Sequence, residues 1–405
     1  MSGALSHIRV LDLSRILAGP WAGQMLADFG AEVIKIERPG NGDDTRGWGP
    51  PFMQGSEAET SEAAYFHAAN RGKQSVAVDI AKPEGQAIIR ELVKVSDVVL
   101  ENYKVGGLKR YGLDYDSLKG LNPRLVYCSI TGFGQNGPDA QRAGYDFMIQ
   151  GMGGLMSVTG EPDGMPMKVG VALVDVMTGL YAANAVQAAL LHREESGVGQ
   201  YIDLALLDVQ VATLANQAMN FLASGQSPGR LGNAHPNIVP YQAFPTIDGH
   251  IILAVGNDQQ FKRFCEVAGQ PELSSDVSFI TNQKRVENRA ELIPLLLPLM
   301  QQHTTQQWLE KLSDVGVPCG PINTIGQVFE EPQIQHREMK VSLSHRDAGA
   351  VPSVANPVKF SKTPITYHQA PPVLGEHSTH VLESILGMDS AEIEILCNQG
   401  VIQRG

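Results

Sequence analysis

One carboxylate stands where a carboxylate is costly. Asp175 lies within Val169–Leu180 (VGVALVDVMTGL), a run that is otherwise almost wholly apolar. Burying an ionised group without partners is expensive. Two uses justify it. Asp at a helix start accepts hydrogen bonds from the free backbone N–H groups there. A dry carboxylate held ionised by the helix dipole and its donors is also a competent nucleophile toward an acyl carbon. The residue type and its setting fit both.

A second group is cationic. Lys35 and Arg38 lie in KIERPG, Arg71 and Lys73 in NRGKQS, and Lys104, Lys109 and Arg110 follow VVLEN. Most fall near expected carboxyl ends of strands, where open α/β sheets bind ligands. An acidic chain, with formal net charge −12, that gathers cations there suits a polyanion such as a nucleotide phosphate. Ordinary surface charge is the plainer reading of any one of them. The overall charge argues against nucleic acid or an anionic membrane as a partner. His235 (GNAHPN), His377 and His380 (GEHSTH) are scattered, and no three or four metal ligands can be assembled from them, so no metal is expected. Gly151–Gly154 (GMGG) reads as a turn or a tight contact. Tyr145-Asp146 follows a turn and could orient a reacting group. GxGxxG after the first strand, GxxxxGK[ST], GxSxG and HExxH are all absent, which removes support for NAD, ATP, serine-hydrolase and zincin chemistry.

These residues need a scaffold. The 405-residue chain suggests two or three domains. The first half alternates strands and helices. Ile8–Leu13 reads as a strand, Gly19–Phe29 as a helix and Glu32–Glu37 as a strand. Ser75–Asp79, Pro83–Lys94, Val98–Asn102 and Leu125–Thr131 repeat the pattern. The expectation is an α/β fold with a mostly parallel sheet. Residues 41–66 lack a clear period, and so long a loop is usually functional. Met177–His192 reads as an apolar helix. Residues 224–240 form a Gly/Pro/Asn-rich break, after which a smaller αβ segment follows. The four cysteines (128, 265, 319 and 397) include no CxxC pair and fit a reducing cytosol. Neither a signal peptide nor a run of about 18 apolar residues is expected.

Several segments together resemble the class III CoA-transferases, the CaiB/BaiF-like family of formyl-CoA transferase and carnitine CoA-transferase. They are LDLSRILAGPWAGQMLADFGAEVIKIERPG, ENYKVGGLKRYGLDYDSL, NPRLVYCSITGFGQNGP, AALLHREESGVGQYIDLALLD and APPVLGEHS. They span nearly the whole chain in order. The resemblance implies a Rossmann-like large domain from residues 1–223 and 316–405, a small inserted α+β domain at 224–315, and an interlocked homodimer. It implies no tightly bound cofactor, an acyl-CoA and a carboxylic acid as substrates, and Asp175 as nucleophile. Arg38, Asn102, Tyr103, Lys104 and Arg110 match positions that contact CoA, with Lys73 a further candidate, and Tyr145 matches a tyrosine of the transferase site. Gly153 and Gly154 are candidates for stabilising an oxyanion. The segment near Gly232 is a candidate cover, and His235 is a candidate substrate-binding residue. A dicarboxylate needs a cation for its far end, and Arg15, Arg46, Arg142 and Lys168 are candidates.

Leu17 stands where formyl-CoA transferase has a pocket glutamine, and GRLGNAHPNIVPYQAF replaces its multi-glycine loop. Formate and oxalate are therefore disfavoured. AHPNIVPYQAF, GNDQQF, GVPCGPIN and GDDTRGWGPPF instead resemble the branch that transfers CoA from succinyl-CoA to glutarate. Racemases of the family carry His-Asp where this chain has Tyr145-Asp146. An α-methylacyl-CoA isomerase and a non-catalytic CoA-binding protein are the competing readings.

Overall fold

The structure is a computed structural model that describes residues 3–55 and 59–405. The chain divides into two units: residues 1–154, 169–215 and 332–405 in the larger, and residues 155–168 and 216–331 in the smaller.

The larger unit is built on strands β1 (Arg9–Asp12), β2 (Glu32–Glu37), β3 (Lys73–Val78), β4 (Val98–Glu101), β5 (Val126–Thr131), β6 (Tyr201–Ala205) and β7 (Ile402–Gln403). Their order is β7-β3-β2-β1-β4-β5-β6. The first six run parallel, and β7 pairs antiparallel on the edge beside β3. Such strands are covered on both faces and read as continuous apolar runs. Alternate residues therefore feed two cores. Leu11, Ile34, Val76, Val99 and Tyr127 pack with residues of helices α2 (Pro83–Lys94), α5 (Ser378–Leu386) and α6 (Ser390–Asn398). Val10, Val33, Val98, Leu100 and Cys128 pack with residues of α1 (Ala18–Asp28) and α4 (Leu173–Ser196). Helix α3 (Asp146–Met152) precedes α4 in the long crossover from β5 to β6.

The chain leaves β1 toward β2 on one side and reaches β4 on the other, so β1 and β4 flank a topological switch point. Ligands bind outside the carboxyl ends of the strands at such a point. Here the two departing turns are tied together. Arg15 N donates to Asn102 Oδ1 at 3.0 Å, and Asn102 Nδ2 donates to Arg15 O at 2.6 Å.

Helix α4 is longer than the apolar pattern suggested and starts four residues earlier. Among the described residues it is the one helix long and apolar enough to cross a membrane by length and composition, although no such run was expected. It is nonetheless a core helix, with Val174, Ala182, Ala183, Val186 and Ala189 buried. Gly179 permits its close approach to α1: a Cβ there would sit 2.8 Å from Ala18 O and 2.9 Å from Trp21 Cβ.

Residues 41–66, expected as an irregular loop, contain a 3-10 turn (Asp44–Gly47) and a hairpin of Phe52–Gln54 with Glu59–Ala63; residues 56–58 lie outside the described residues. A second hairpin, Lys340–His345 with Gly349–Val354, follows a Pro-rich stretch whose period gives no sign of it.

The smaller unit carries a three-stranded antiparallel sheet with His250–Ala254 between Tyr241–Pro245 and Cys319–Pro321. Phe244, Ile251, Leu253, Phe261, Phe264, Leu296 and Trp308 form its core.

Candidate active site

Asp175 sits in the first turn of α4, but it is not the cap. The N-cap position belongs to Ala172, whose side chain cannot accept a hydrogen bond. The free N–H groups are met from outside: Asp146 Oδ1 accepts from Val174 N at 2.8 Å and from Asp175 N at 3.4 Å. Nor is the Asp175 carboxyl held ionised by donors, as the sequence suggested. Burial, then the Asp146 charge, pushes its pKa up from 3.8 to about 7. Desolvation and a like charge outweigh the helix dipole here. Near neutral pH the carboxyl is populated in both states, of which only the ionised one is nucleophilic.

Tyr65 shares this environment. Burial, then the charges of Asp175, Asp146 and Asp43, raises its hydroxyl pKa. Trp48 packs edge-on against its ring, with centroids 5.3 Å apart. Asp43 in turn accepts from Ile16 N, in the β1 turn of the switch point, at 3.2 Å. Ile16 takes a left-handed φ of 73°, an unfavourable conformation for a β-branched residue. Strain of this kind persists where the surroundings over-determine it. Tyr65 carries no pattern in the sequence that distinguishes it from a core tyrosine.

The candidate ligands separate by environment. Arg38 and Lys104 are exposed and take part in no ion pair among the described residues. Arg110 lies over the Tyr111 ring at 4.5 Å. Asn102 and Tyr103 form the β4 turn, and Arg15 lies opposite, in an exposed 2.7 Å pair with Asp44.

Lys73 is different. It is wholly buried, and Nζ donates to Asp12 Oδ2 (2.9 Å), Pro20 O (2.8 Å) and Asn70 Oδ1 (3.0 Å). All three ammonium donors are used, so Lys73 holds the core rather than a phosphate. Arg46 is likewise spent on Glu37, Glu62 and Pro372 O, which removes it as a carboxylate receptor. Lys35 pairs with Asp43 at 2.9 Å, and Arg71 with Asp28 at 2.5 Å. The sequence pattern could not distinguish cations facing solvent from cations that neutralise buried carboxylates.

Gly153 does not offer a free oxyanion donor: its N–H closes helix α3 on Ile149 O at 2.7 Å. Its missing side chain serves packing, since a Cβ would lie 2.3 Å from Gln210 Cγ. Gly154 N is directed to Gly151 O, and its φ of 87° is the left-handed turn that glycine favours. Arg142 pairs with Asp139 at 3.0 Å and covers the Phe133 ring. Tyr145 occupies the N-cap position of α3 with its side chain largely exposed. Lys168 and His235 belong to the smaller unit; His235 Nδ1 accepts from Asn237 N at 3.0 Å.

Glu62, His67 and His345 bring three metal-type donor atoms together in the interior, a cluster the sequence did not suggest. His345 Nδ1 accepts from Asp347 N and Ala348 N, so in the neutral ring Nε2 carries the proton. It faces Glu62 Oε2 at 3.3 Å, as does His67 Nε2 at 3.2 Å. His67 thus hydrogen-bonds the Glu62 carboxylate, His345 lies at ion-pair distance from it without a hydrogen bond, and Arg46 holds its other oxygen, so the carboxylate is already paired with a cation.

The chain thus combines a Rossmann-type sheet, exposed cations near its switch point and a desolvated carboxyl at a helix start. Known proteins of similar sequence and structure give the family. The model of CoA-transferase family III matches residues 5–378. The succinate–glutarate CoA-transferase of Agrobacterium fabrum is 54% identical over 381 residues, covering 94% of this chain and 95% of that protein. The human succinyl-CoA:glutarate CoA-transferase is 44% identical over 400 residues, covering 99% and 90%. A crystal structure of a CaiB/BaiF family protein from Brucella suis matches with a TM-score of 0.84 at 51% identity, covering 95% of this chain and all of that one. The chain therefore belongs to CoA-transferase family III and is an enzyme that transfers CoA between carboxylic acids.

Proposed function

We propose that this enzyme moves CoA from succinyl-CoA to glutarate or a similar dicarboxylate, with Asp175 as the nucleophile. The observation that carries the mechanism is the isolated, desolvated Asp175 carboxyl at the start of α4. The substrate pair is drawn from the two relatives named for succinate or succinyl-CoA and glutarate.

The ionised Asp175 attacks the thioester carbonyl, giving a mixed anhydride and CoA thiolate. The thiolate attacks the aspartyl carbonyl of that anhydride, forming an aspartyl-CoA thioester and releasing the donor acid. The acceptor carboxylate attacks this thioester, expelling the thiolate and forming a second anhydride. The thiolate then takes the acceptor acyl group, and Asp175 returns as a carboxylate. Each intermediate is activated, so the acyl potential of the thioester is conserved. Each is also hydrolysable, so the site must exclude water.

Arg38, Lys104 and Arg110 are the cations proposed for the CoA phosphates, and Asn102 and Tyr103, in the β4 turn, are the further candidates to contact CoA. Arg15 is the candidate for the far carboxylate, because its exposed pair with Asp44 is of a kind worth little and exchangeable. A second copy of the chain is the proposed cover for exposed apolar residues such as Phe147, Leu191 and Leu222. The four free cysteines suit a reducing cytoplasm.

Incubation with succinyl-CoA followed by hydroxylamine should modify Asp175; an adduct mapped to any other residue removes the assignment. Asp175→Ala should abolish exchange and leave the fold intact. Among glutarate, oxalate, formate and carnitine as acceptors, glutarate should turn over fastest. A carboxyl with a pKa near neutrality also suits proton abstraction, which supports an isomerase as the second reading. Deuterium incorporation into a 2-methylacyl-CoA without any acceptor acid would favour that reading.

A further inference from the structure

The segment that delivers Asp175 has no cap of its own. A helix start leaves four N–H groups without intrahelical partners, and Ala172 supplies none of the acceptors. Two residues of α3, one helical turn apart, do the work. Asp146 Oδ1 accepts from Val174 N and Asp175 N, and Asp146 Oδ2 accepts from Gln150 Nε2 at 2.7 Å. Gln150 Oε1 accepts from Val169 N at 2.9 Å, and its Nε2 also reaches Val171 O at 3.5 Å. Gln150 is fully buried. The segment from Val169 to Asp175 is therefore held at both ends by one short helix.

An asparagine oxygen would cap α4 as well as a carboxylate oxygen does. The carboxylate adds a charge, placed beside the reacting carboxyl with no ion-paired cation among the described residues. Among the described residues, Asp146 of α3 acts on Asp175 by its charge and accepts from its N–H, and the Asp175 charge in turn acts on the Tyr65 hydroxyl of the Ala64–His67 turn. Neither aspartate forms an ion pair among the described residues.

We propose that Asp146 and Gln150 are positioning residues: together they clamp the Val169–Asp175 segment, and the Asp146 charge repels the ionised Asp175 carboxylate so that acylation, which neutralises Asp175, relieves the repulsion. The inference rests on Asp175 being the nucleophile. It assigns to Asp146 an electrostatic part in the first step that a structural cap would not have.

The test uses the full-length enzyme and Asp146→Asn, which keeps an oxygen for the α4 N–H groups. In wild type, kcat/KM for succinyl-CoA should rise with pH through about 7, as Asp175 ionises. In Asp146→Asn that limb should move down by about one pH unit. Above pH 8, with Asp175 ionised, single-turnover release of CoA thiol should slow by about three- to tenfold. Gln150→Leu should lower kcat without moving the limb, since it loosens the clamp and leaves the charges alone. An acid limb and an acylation rate both unchanged in Asp146→Asn would overturn the proposal, and so would an equal shift in Gln150→Leu. The hydroxylamine adduct separates the two ideas. An adduct on Asp175 with an unmoved limb refutes only the role of Asp146, whereas an adduct elsewhere refutes the nucleophile itself.

Discussion

Glu101 ends β4 at the switch point, and among the described residues its charge has no ion-paired cation. The residue is 6% exposed. Its Oε2 accepts from Tyr103 N at 2.7 Å, and Ser129 supplies a second hydrogen bond. Burial, and then in part the Glu101 charge, raises the hydroxyl pKa values of Tyr103, Tyr127 and Tyr201. Burial outweighs the two hydrogen bonds and raises the carboxyl pKa from 4.5 to about 7. The folded pKa thus exceeds the unfolded one, so the folded state binds more protons across that interval and stability falls as pH rises through it. At about 1.4 kcal/mol per pKa unit, ionising Glu101 costs about 3 kcal/mol of stability near pH 8 and under about 1 kcal/mol near pH 5. Glu101→Gln removes that cost. Its stability relative to wild type should therefore improve by about 2–3 kcal/mol between pH 5 and pH 8. Hydrogen exchange of the Val99 and Leu100 amides, corrected for intrinsic rates, reads the opening free energy of this part of the sheet. A relative stability that is the same at both pH values would refute the reasoning. It would mean that Glu101 finds a cation or water in solution that offsets its burial.

Two other substitutions separate stability from binding. Lys73→Met leaves Asp12 buried without its cation, and should cost about 3–5 kcal/mol in thermal or urea unfolding of the larger unit. Arg38→Ala should raise KM for the acyl-CoA several-fold and leave unfolding unchanged, because that side chain is exposed. In the smaller unit, Arg285 is fully buried, donates to Val239 O and Phe279 O, and lies 4.4 Å from the Phe261 ring centre. Arg285→Ala strands both carbonyls and should destabilise that unit by about 2–4 kcal/mol, measured from Trp308 fluorescence.

Much of the scaffold is local and therefore legible in the sequence. β-strands of a parallel sheet are apolar on both faces, so IRVLDL, EVIKIE and LVYCSIT identify themselves, and the Gly and Pro residues between them mark the turns. The run around Asp175 is equally plain, because a carboxylate among apolar residues demands an explanation. What residue order could not supply was the partner of each charge. Lys73 and Arg38 look alike in sequence, yet one is locked against Asp12 in the core and the other faces solvent; the difference lies in which strands become neighbours. The cap of α4 comes from Asp146, 29 residues away, so a helix that seemed to cap itself is held by another. The ionisation of Asp175 was misjudged for the same reason. A dipole and local donors are set by position along the chain, whereas burial and the proximity of Asp146 exist only once α3 and α4 have packed together.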